Sequence, residues 1–250
     1  MSLKDKAVIV TGGGSGIGAS IAMDFAKEGA NVAIVGRNVD KLIAIAKKCT
    51  AIGNEVLVIR ADVSKDEDAI RIVQKTVDKF GKLDVLVNNA GVSRPGCVLE
   101  GDILQAYDMV MNTNLRAVMH LTTLATPHLI KTKGNIINIS SAFGLMPCAG
   151  SEVLNYSISK AALNQFTRCA ANELASLGIR VNAVSPGPVE TDILVNSDFP
   201  GDWNDFRART ALDRVAHPQE IADLVLFLAS DKAKSITGSN FVSDNGMLLK

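Results

Sequence analysis

Tyr156 and Lys160 stand four residues apart in Asn155-Tyr156-Ser157-Ile158-Ser159-Lys160. On a helix that spacing puts both side chains on one face. A tyrosine of ordinary pKa, about 10, gives up its proton too rarely at neutral pH to act as a base. A neighbouring ammonium, together with the positive charge that a bound oxidised cofactor brings, favours the phenolate and is expected to lower that value. Such a phenol can donate a proton to an oxygen that is gaining charge, and accept one in the reverse reaction. Upstream, the apolar run Ile136–Ile139 ends in Ser140-Ser141. A serine hydroxyl there can hydrogen-bond the same oxygen and stabilise its developing charge. Taken singly, these features are ordinary: a Tyr-x-x-x-Lys pair is usually an exposed helix face, and a strand-end serine is usually a cap. A hydrolytic role for Ser141 fails, because neither a histidine nor a G-x-S-x-G context accompanies it.

A second cluster lies near the start of the chain. Thr11-Gly12-Gly13-Gly14-Ser15-Gly16-Ile17-Gly18 separates the first apolar run from the first helical pattern. Glycine permits a tight turn and lets a phosphate approach the backbone. The helix that follows offers unpaired N–H groups and a partial positive end. Between a first strand and a first helix, this pattern points to a dinucleotide. The second strand ends in Gly36-Arg37-Asn38. Where an NAD site carries an acid for the ribose 2′-hydroxyl, this chain has Gly36 and then Arg37. A guanidinium grips a phosphate through two parallel hydrogen bonds, so NADP(H) is the expected cofactor.

The elements that must position these groups alternate. Strands are expected at Ala7–Val10, Asn31–Val35, Val56–Arg60, Val85–Val87, Ile136–Ile139, Arg180–Val184 and Asn240–Val242. Helical patterns run from Ile17 to about Lys27, with Gly29 past the end, and over Lys41–Ile52. Ser64-Lys65-Asp66-Glu67 reads as a capping box opening a helix to about Phe80. One or two helices occupy Leu104–Leu129, a long one spans Asn155–Leu177, and Pro218 opens another at a first-turn position. The strands are near-continuous apolar runs, as in a parallel sheet covered by helices on both faces. The expected fold is a doubly wound α/β sheet, with its ligand at the carboxyl ends of the strands.

Composition narrows the function classes. The 250 residues carry 26 Lys plus Arg against 26 Asp plus Glu, so no general attraction to nucleic acid or anionic membrane exists. Cys49, Cys97, Cys148 and Cys169 form no C-x-x-C pair and read as free thiols of a reducing compartment. His120, His128 and His217 lack metal-ligand spacing, so no metal is expected. The first residues hold no signal-peptide core, and no apolar run approaches the roughly 20 residues of a membrane span. A cytoplasmic protein is expected. No linker or composition break divides residues 1–250, which read as a single domain.

In order, these motifs make the sequence resemble the single-domain short-chain dehydrogenase/reductases over essentially its whole length. The pattern is most similar to members of the carbonyl-reductase and 3-oxoacyl-carrier-protein-reductase kind. The resemblance implies a Rossmann-type, mostly parallel seven-stranded sheet. It makes Asn114, Ser141, Tyr156 and Lys160 the catalytic four and selects Ser141 over Ser140. It assigns cofactor contact to Gly12, Ser15, Gly16, Ile17, Gly18, Arg37 and Asn38, to Asp62 and Val63 at the adenine, and to Asn89, Ala90 and Gly91 after Asn88. Pro186, Gly187, Val189 and Thr191 would meet the nicotinamide end. Lys160 would also reach the nicotinamide ribose hydroxyls, and Asn114 would hold a water linking Lys160 to solvent.

Departures from the family pattern concern the substrate. Ser141 and Tyr156 are 15 positions apart, which implies about two extra residues in Leu145–Leu154, a loop carrying Met146, Pro147, Cys148, Glu152 and Leu154. That loop is expected to border the substrate. A lid is expected at about 188–211, carrying Ile193, Leu194, Phe199, Trp203 and Phe206, whose character suits an apolar or lipid-like ketone. Val242-Ser243-Asp244-Asn245-Gly246 replaces the usual ending, and Met247-Leu248-Leu249 is a candidate subunit contact in a homo-oligomer, a tetramer by resemblance. The leading expectation is an NADPH-dependent oxidoreductase acting on a ketone or secondary alcohol. One alternative is an NAD-dependent alcohol or hydroxysteroid dehydrogenase working oxidatively. Another, of a different class, is a regulatory protein that senses NADP(H) without turnover.

Overall fold

The apolar runs are strands covered on both sides. In the computed structural model, residues 3–51, 56–147, 150, 153–192 and 202–250 are described. The strands are β1 (Ala7–Thr11), β2 (Asn31–Gly36), β3 (Val56–Arg60), β4 (Val85–Asn88), β5 (Asn135–Ile139), β6 (Arg180–Pro186) and β7 (Asn240–Ser243). They form one seven-stranded sheet in the order β3-β2-β1-β4-β5-β6-β7. Every neighbouring pair is parallel, so the expectation of a mostly parallel sheet becomes a wholly parallel one.

Successive residues of β1 point to opposite layers. Val8 and Val10 pack with Ile21 and Phe25 of α1 (Gly16–Lys27), Leu42 of α2 (Val39–Thr50) and Val225 of α8 (Pro218–Ala229). Ile9 faces the other way, onto Ile72 of α3 (Asp66–Phe80), Leu121 and Leu129 of α5 (Ala117–Thr132) and Leu174 of α6 (Leu154–Leu174). Among the described residues the other α-helices are α4 (Ile103–Met111) and the short α7 (Trp203–Arg207). This is a Rossmann-type doubly wound sheet. The chain walks outward from β1 to β3, then returns to β4 and walks the other way, leaving a crevice at the reversal.

Several local expectations are corrected. Ser64 does not cap α3. Its hydroxyl donates to Asp62 Oδ1 at 2.7 Å, Asp62 also accepts from the Ser64 N–H at 3.0 Å, and Lys65 becomes the N-cap without a side-chain bond. The nearby carboxylate out-competes the helix for that hydroxyl. The second helix begins at Val39 because Asn38 Oδ1 accepts from Lys41 N at 3.0 Å; Ile52, its expected end, lies outside the described residues. The Leu104–Leu129 stretch is two helices joined by a π turn, Asn112–Arg116, which carries Asn114 into the interior. At the C-terminus, Met247 is buried in its own chain while Leu249 is exposed, so only part of the apolar tail is available to another subunit.

Candidate active site

A cavity of about 690 Å³ opens at the carboxyl ends of β1 to β6. Its floor is the glycine turn. Gly16 takes φ of 51°, and a Cβ there would come within 2.8 Å of Thr191 Cγ2, so the turn and the chain after β6 touch with no room for a side chain. Gly18 lies behind the turn and does not line the cavity. A Cβ on it would collide with the Gly12 carbonyl oxygen, so a side chain there would push α1 away from the turn. Gly18→Ala is therefore expected to cost about 1–3 kcal/mol. The loss would appear as a Tm lower by about 2–4 °C per kcal/mol; an unchanged Tm would show that α1 can shift.

Ser15 makes no side-chain cap bond, and no acidic residue lies in the first turn of α1. The first N–H groups and the positive end of that helix are thus free for an anion. Thr11 ties this floor to the next wall. Its Oγ1 accepts from Asn89 N at 2.9 Å and Ala90 N at 3.0 Å, while Asn89 Nδ2 donates to Thr11 O at 2.9 Å. Behind them, Asn88 Nδ2 donates to Asn138 Oδ1 at 2.9 Å, and Asn138 Nδ2 donates to Thr167 Oγ1 at 2.9 Å, joining β4, β5 and α6.

At the far end, α6 presents Tyr156 and Lys160 together, as the spacing predicts. Ser141 hydrogen-bonds the Tyr156 hydroxyl, and its own Oγ accepts from Phe143 N at 3.2 Å. Ser140 also borders the cavity, but its hydroxyl donates to the Lys160 carbonyl at 3.1 Å, which separates its role from that of Ser141. Lys160 Nζ donates to Ile139 O at 2.7 Å and sits 5.4 Å from the Tyr156 ring centroid.

The electrostatics of the chain alone run against one expectation, before any charge from a cofactor is added. Tyr156 is not lowered but pushed up to about 12, because burial disfavours the phenolate more than the Ser141 hydrogen bond favours it. The ring keeps a partly exposed face on the cavity, so the push comes from the surrounding wall and not from complete enclosure. Lys160 is pulled down to about 8 by burial. Its ammonium points at a backbone carbonyl beside the ring, so in this chain alone it does not offset the burial of the phenol.

Asn114 stands behind this group and does not line the cavity. Its Oδ1 accepts from Val92 N at 2.8 Å, and its amide donates to Val92 O at 2.9 Å and Ser159 Oγ at 3.0 Å. Both amide protons are committed, so the side chain fixes the loop after β4 against α6 and has no donor left for a water. Gly12, Ser15, Gly16, Ile17, Arg37, Asn38, Asp62, Val63, Asn89, Ala90, Gly91, Ser141, Tyr156, Lys160, Pro186, Gly187, Val189 and Thr191 all border the cavity. Asn38 Oδ1 is spent on capping α2. Phe143, Val153, Trp203 and Phe206 add apolar surface to the cavity lining. Cys148, Glu152, Ile193, Leu194 and Phe199 lie outside the described residues.

Residues 12–248 match the family described as enoyl-(acyl carrier protein) reductase. A short-chain dehydrogenase/reductase of unknown function from Caenorhabditis elegans, solved with its cofactor, superposes with a TM-score of 0.92 at 37% identity, over 98% of this chain and 96% of that one. The chain belongs to the short-chain dehydrogenase/reductase family. A short-chain dehydrogenase from Burkholderia cenocepacia in complex with NADP gives a TM-score of 0.91 at 33% identity, over 99% and 100% of the two chains. The 3-oxoacyl-[acyl-carrier-protein] reductase of Staphylococcus epidermidis is 38% identical over 98% of this chain and all of its own, and that of Thermotoga maritima 35% identical over the full length of both.

Within this short-chain dehydrogenase/reductase, sequence reasoning missed three cavity or support residues. Ser159 accepts from Asn114 and donates to the Tyr156 carbonyl at 2.7 Å; a small polar residue beside Lys160 was its only signal. Lys41 and Asp192 line opposite walls and pair at 2.5 Å, a contact between residues 151 apart that no local pattern announces. Among the described residues no group of three His, Cys, Asp or Glu could hold a metal, and no helix is long and apolar enough to cross a membrane.

Proposed function

We propose that this chain is an NADPH-dependent reductase that converts a ketone with an apolar or lipid-like body to its secondary alcohol, and runs the reverse reaction when the alcohol is in excess. The observation that carries this reading is the Tyr156–Ser141 hydroxyl pair beside Lys160, at one end of a cavity whose other end is an uncapped helix N-terminus. A cavity of about 690 Å³ is of a size to enclose a dinucleotide's reactive part and a small substrate. The bound dinucleotide would supply the hydride. Gly12, Ser15, Gly16 and Ile17 would hold its diphosphate, Asp62 and Val63 its adenine, Asn89, Ala90 and Gly91 the middle, and Pro186, Gly187, Val189 and Thr191 the nicotinamide end.

Tyr156, protonated at neutral pH, would give its proton to the substrate oxygen, and Ser141 would hydrogen-bond the same oxygen. Lys160, still an ammonium at neutral pH, would bind the nicotinamide ribose hydroxyls and balance the phenolate left on Tyr156. Asn114 would be a positioning residue, acting through Val92 and Ser159. Residues 1–250 would work as one unit, with the flanks of the 188–211 segment supplying Trp203 and Phe206 to the substrate wall. The free thiols Cys49, Cys97 and Cys169 support a cytoplasmic, reducing setting. Exposed Leu104, Met119 and Ile130 on α4 and α5 support a homo-oligomer, the tetramer of the resemblance, checked by mass in solution.

NADP over NAD rests on the end of β2, where Gly36, Arg37 and Asn38 border the cavity without a carboxylate. Arg37→Asp is expected to reverse the preference toward NADH, read as the ratio of kcat/KM for the two cofactors; an unchanged ratio would remove Arg37 from this role. The deciding experiment follows NADPH and NADH oxidation by absorbance against ketones, diketones, quinones, 3-oxoacyl thioesters and 3-ketosteroids. Turnover with NADPH favoured supports the proposal. NADPH binding without any turnover would favour the sensor, and no binding would overturn both.

A further inference from the structure

Lys41 and Asp192 come from opposite walls of the cavity. Lys41 lies in the first turn of α2, and Asp192 follows Thr191 after β6; their side chains pair at 2.5 Å, each about half exposed at 49% and 48%. The glycine turn lies between the two walls they come from. A Cβ on Gly14 would meet Lys41 Cβ at 3.4 Å, and a Cβ on Gly16 would meet Thr191 Cγ2 at 2.8 Å. The turn is thus gripped on one side by the stem of Lys41 and on the other by the residue before Asp192, and the ion pair joins the two sides. Both charged residues border the same cavity as Ser15, Gly16 and Ile17.

From this arrangement we infer that Lys41 and Asp192 form a charge clasp across the dinucleotide groove, retaining the cofactor's diphosphate over the glycine turn. The inference rests on the dinucleotide reading of the cavity. A carboxylate so near the turn would by itself repel a diphosphate, and Lys41 cancels that charge while tying the two walls together. Lys41 and Asp192 are therefore retention and positioning residues, separate from the proton chemistry of Tyr156. The two deletions are unequal. Removing Lys41 opens the clasp and exposes Asp192 to the diphosphate. Removing Asp192 also opens the clasp, but it leaves the Lys41 ammonium, whose attraction for the diphosphate offsets part of the loss.

The test is the rate of NADPH release at low salt, followed by nicotinamide fluorescence in stopped flow, with equilibrium titration alongside; neither readout needs turnover. Lys41→Ala is expected to speed release by about fivefold and Asp192→Ala by about twofold, sizes suited to an exposed pair. The double variant is expected to fall between the two single variants, so that removing Asp192 partly rescues the loss of Lys41. The exchanged pair Lys41→Asp with Asp192→Lys should restore part of the retention, and high salt should shrink every difference. Additive single effects, or no change in either variant, would overturn the clasp. Tighter binding in Asp192→Ala would overturn it too, because Lys41 would then be a plain phosphate ligand held back by Asp192. If the wild-type chain binds NADPH and these couplings fail, only the clasp falls; if it binds neither nucleotide, the dinucleotide reading falls with it.

Discussion

Tyr156→Phe is expected to lower kcat for ketone reduction by about 10²- to 10⁴-fold, the usual worth of a positioned proton donor. NADPH affinity should stay unchanged. The substitution keeps the ring that Lys160 Nζ overlies at 5.4 Å, and it keeps the Ser141 cap on Phe143 N at 3.2 Å. Only the hydroxyl that meets Ser141 is lost. The effect should therefore fall on kcat and not on the nucleotide dissociation constant, measured by steady-state kinetics and fluorescence titration in parallel. Turnover at the wild-type rate would remove Tyr156 as the acid. A large loss of NADPH affinity would show that the hydroxyl holds the cofactor as well.

Lys160→Met should be equally damaging to turnover, yet it should make the fold less sensitive to alkaline pH. The Lys160 side chain is buried, and burial lowers its pKa from 10.5 to about 8. Between those values the unfolded chain holds a proton that the folded chain has released. Wild-type stability must therefore rise with pH across that window and carry a penalty below it. The full span corresponds to about 3 kcal/mol at 1.36 kcal/mol per unit. Methionine removes this penalty but leaves the Ile139 carbonyl without its 2.7 Å donor. That loss costs about 1–3 kcal/mol, so the net gain at neutral pH is expected to be small. The distinguishing result is the slope: chemical denaturation from pH 7 to 10.5 should show the wild type gaining on the variant by about 3 kcal/mol. Parallel curves would mean that Lys160 keeps its ordinary pKa in the folded chain.

The fold was legible because its signals are local. Apolar runs bounded by turns became the strands, and Gly29 and Pro218 mark helix ends through their own backbone chemistry. The glycine turn and the Tyr156–Lys160 pair were legible for the same reason, since a tight turn and a shared helix face follow from spacing alone. What escaped depends on groups distant in sequence. Asp62 takes the Ser64 hydroxyl that a capping box would use. The π turn at Asn112–Arg116 turns Asn114 toward Val92 and Ser159, two partners from separate elements. The upward push on Tyr156 sums the burial contributed by several walls, whereas the sequence displayed only the nearby lysine.

The buried asparagines of β4 and β5 bear on how the chain avoids folding wrongly. In a sheet covered on both faces, apolar alternation cannot tell one strand alignment from the next, because any shift still sets apolar side chains against apolar side chains. Asn88 sits opposite Asn138 in the native pairing. Sliding β4 by one residue would set the Asn88 amide against Ile137 or Ile139 and strand it in hydrocarbon, while Asn138 would keep only its Thr167 partner. The stranded amide costs about 1–3 kcal/mol. The 2.9 Å bond between the two asparagines thus acts as an alignment key, penalising misthreaded sheets more than it strengthens the correct one.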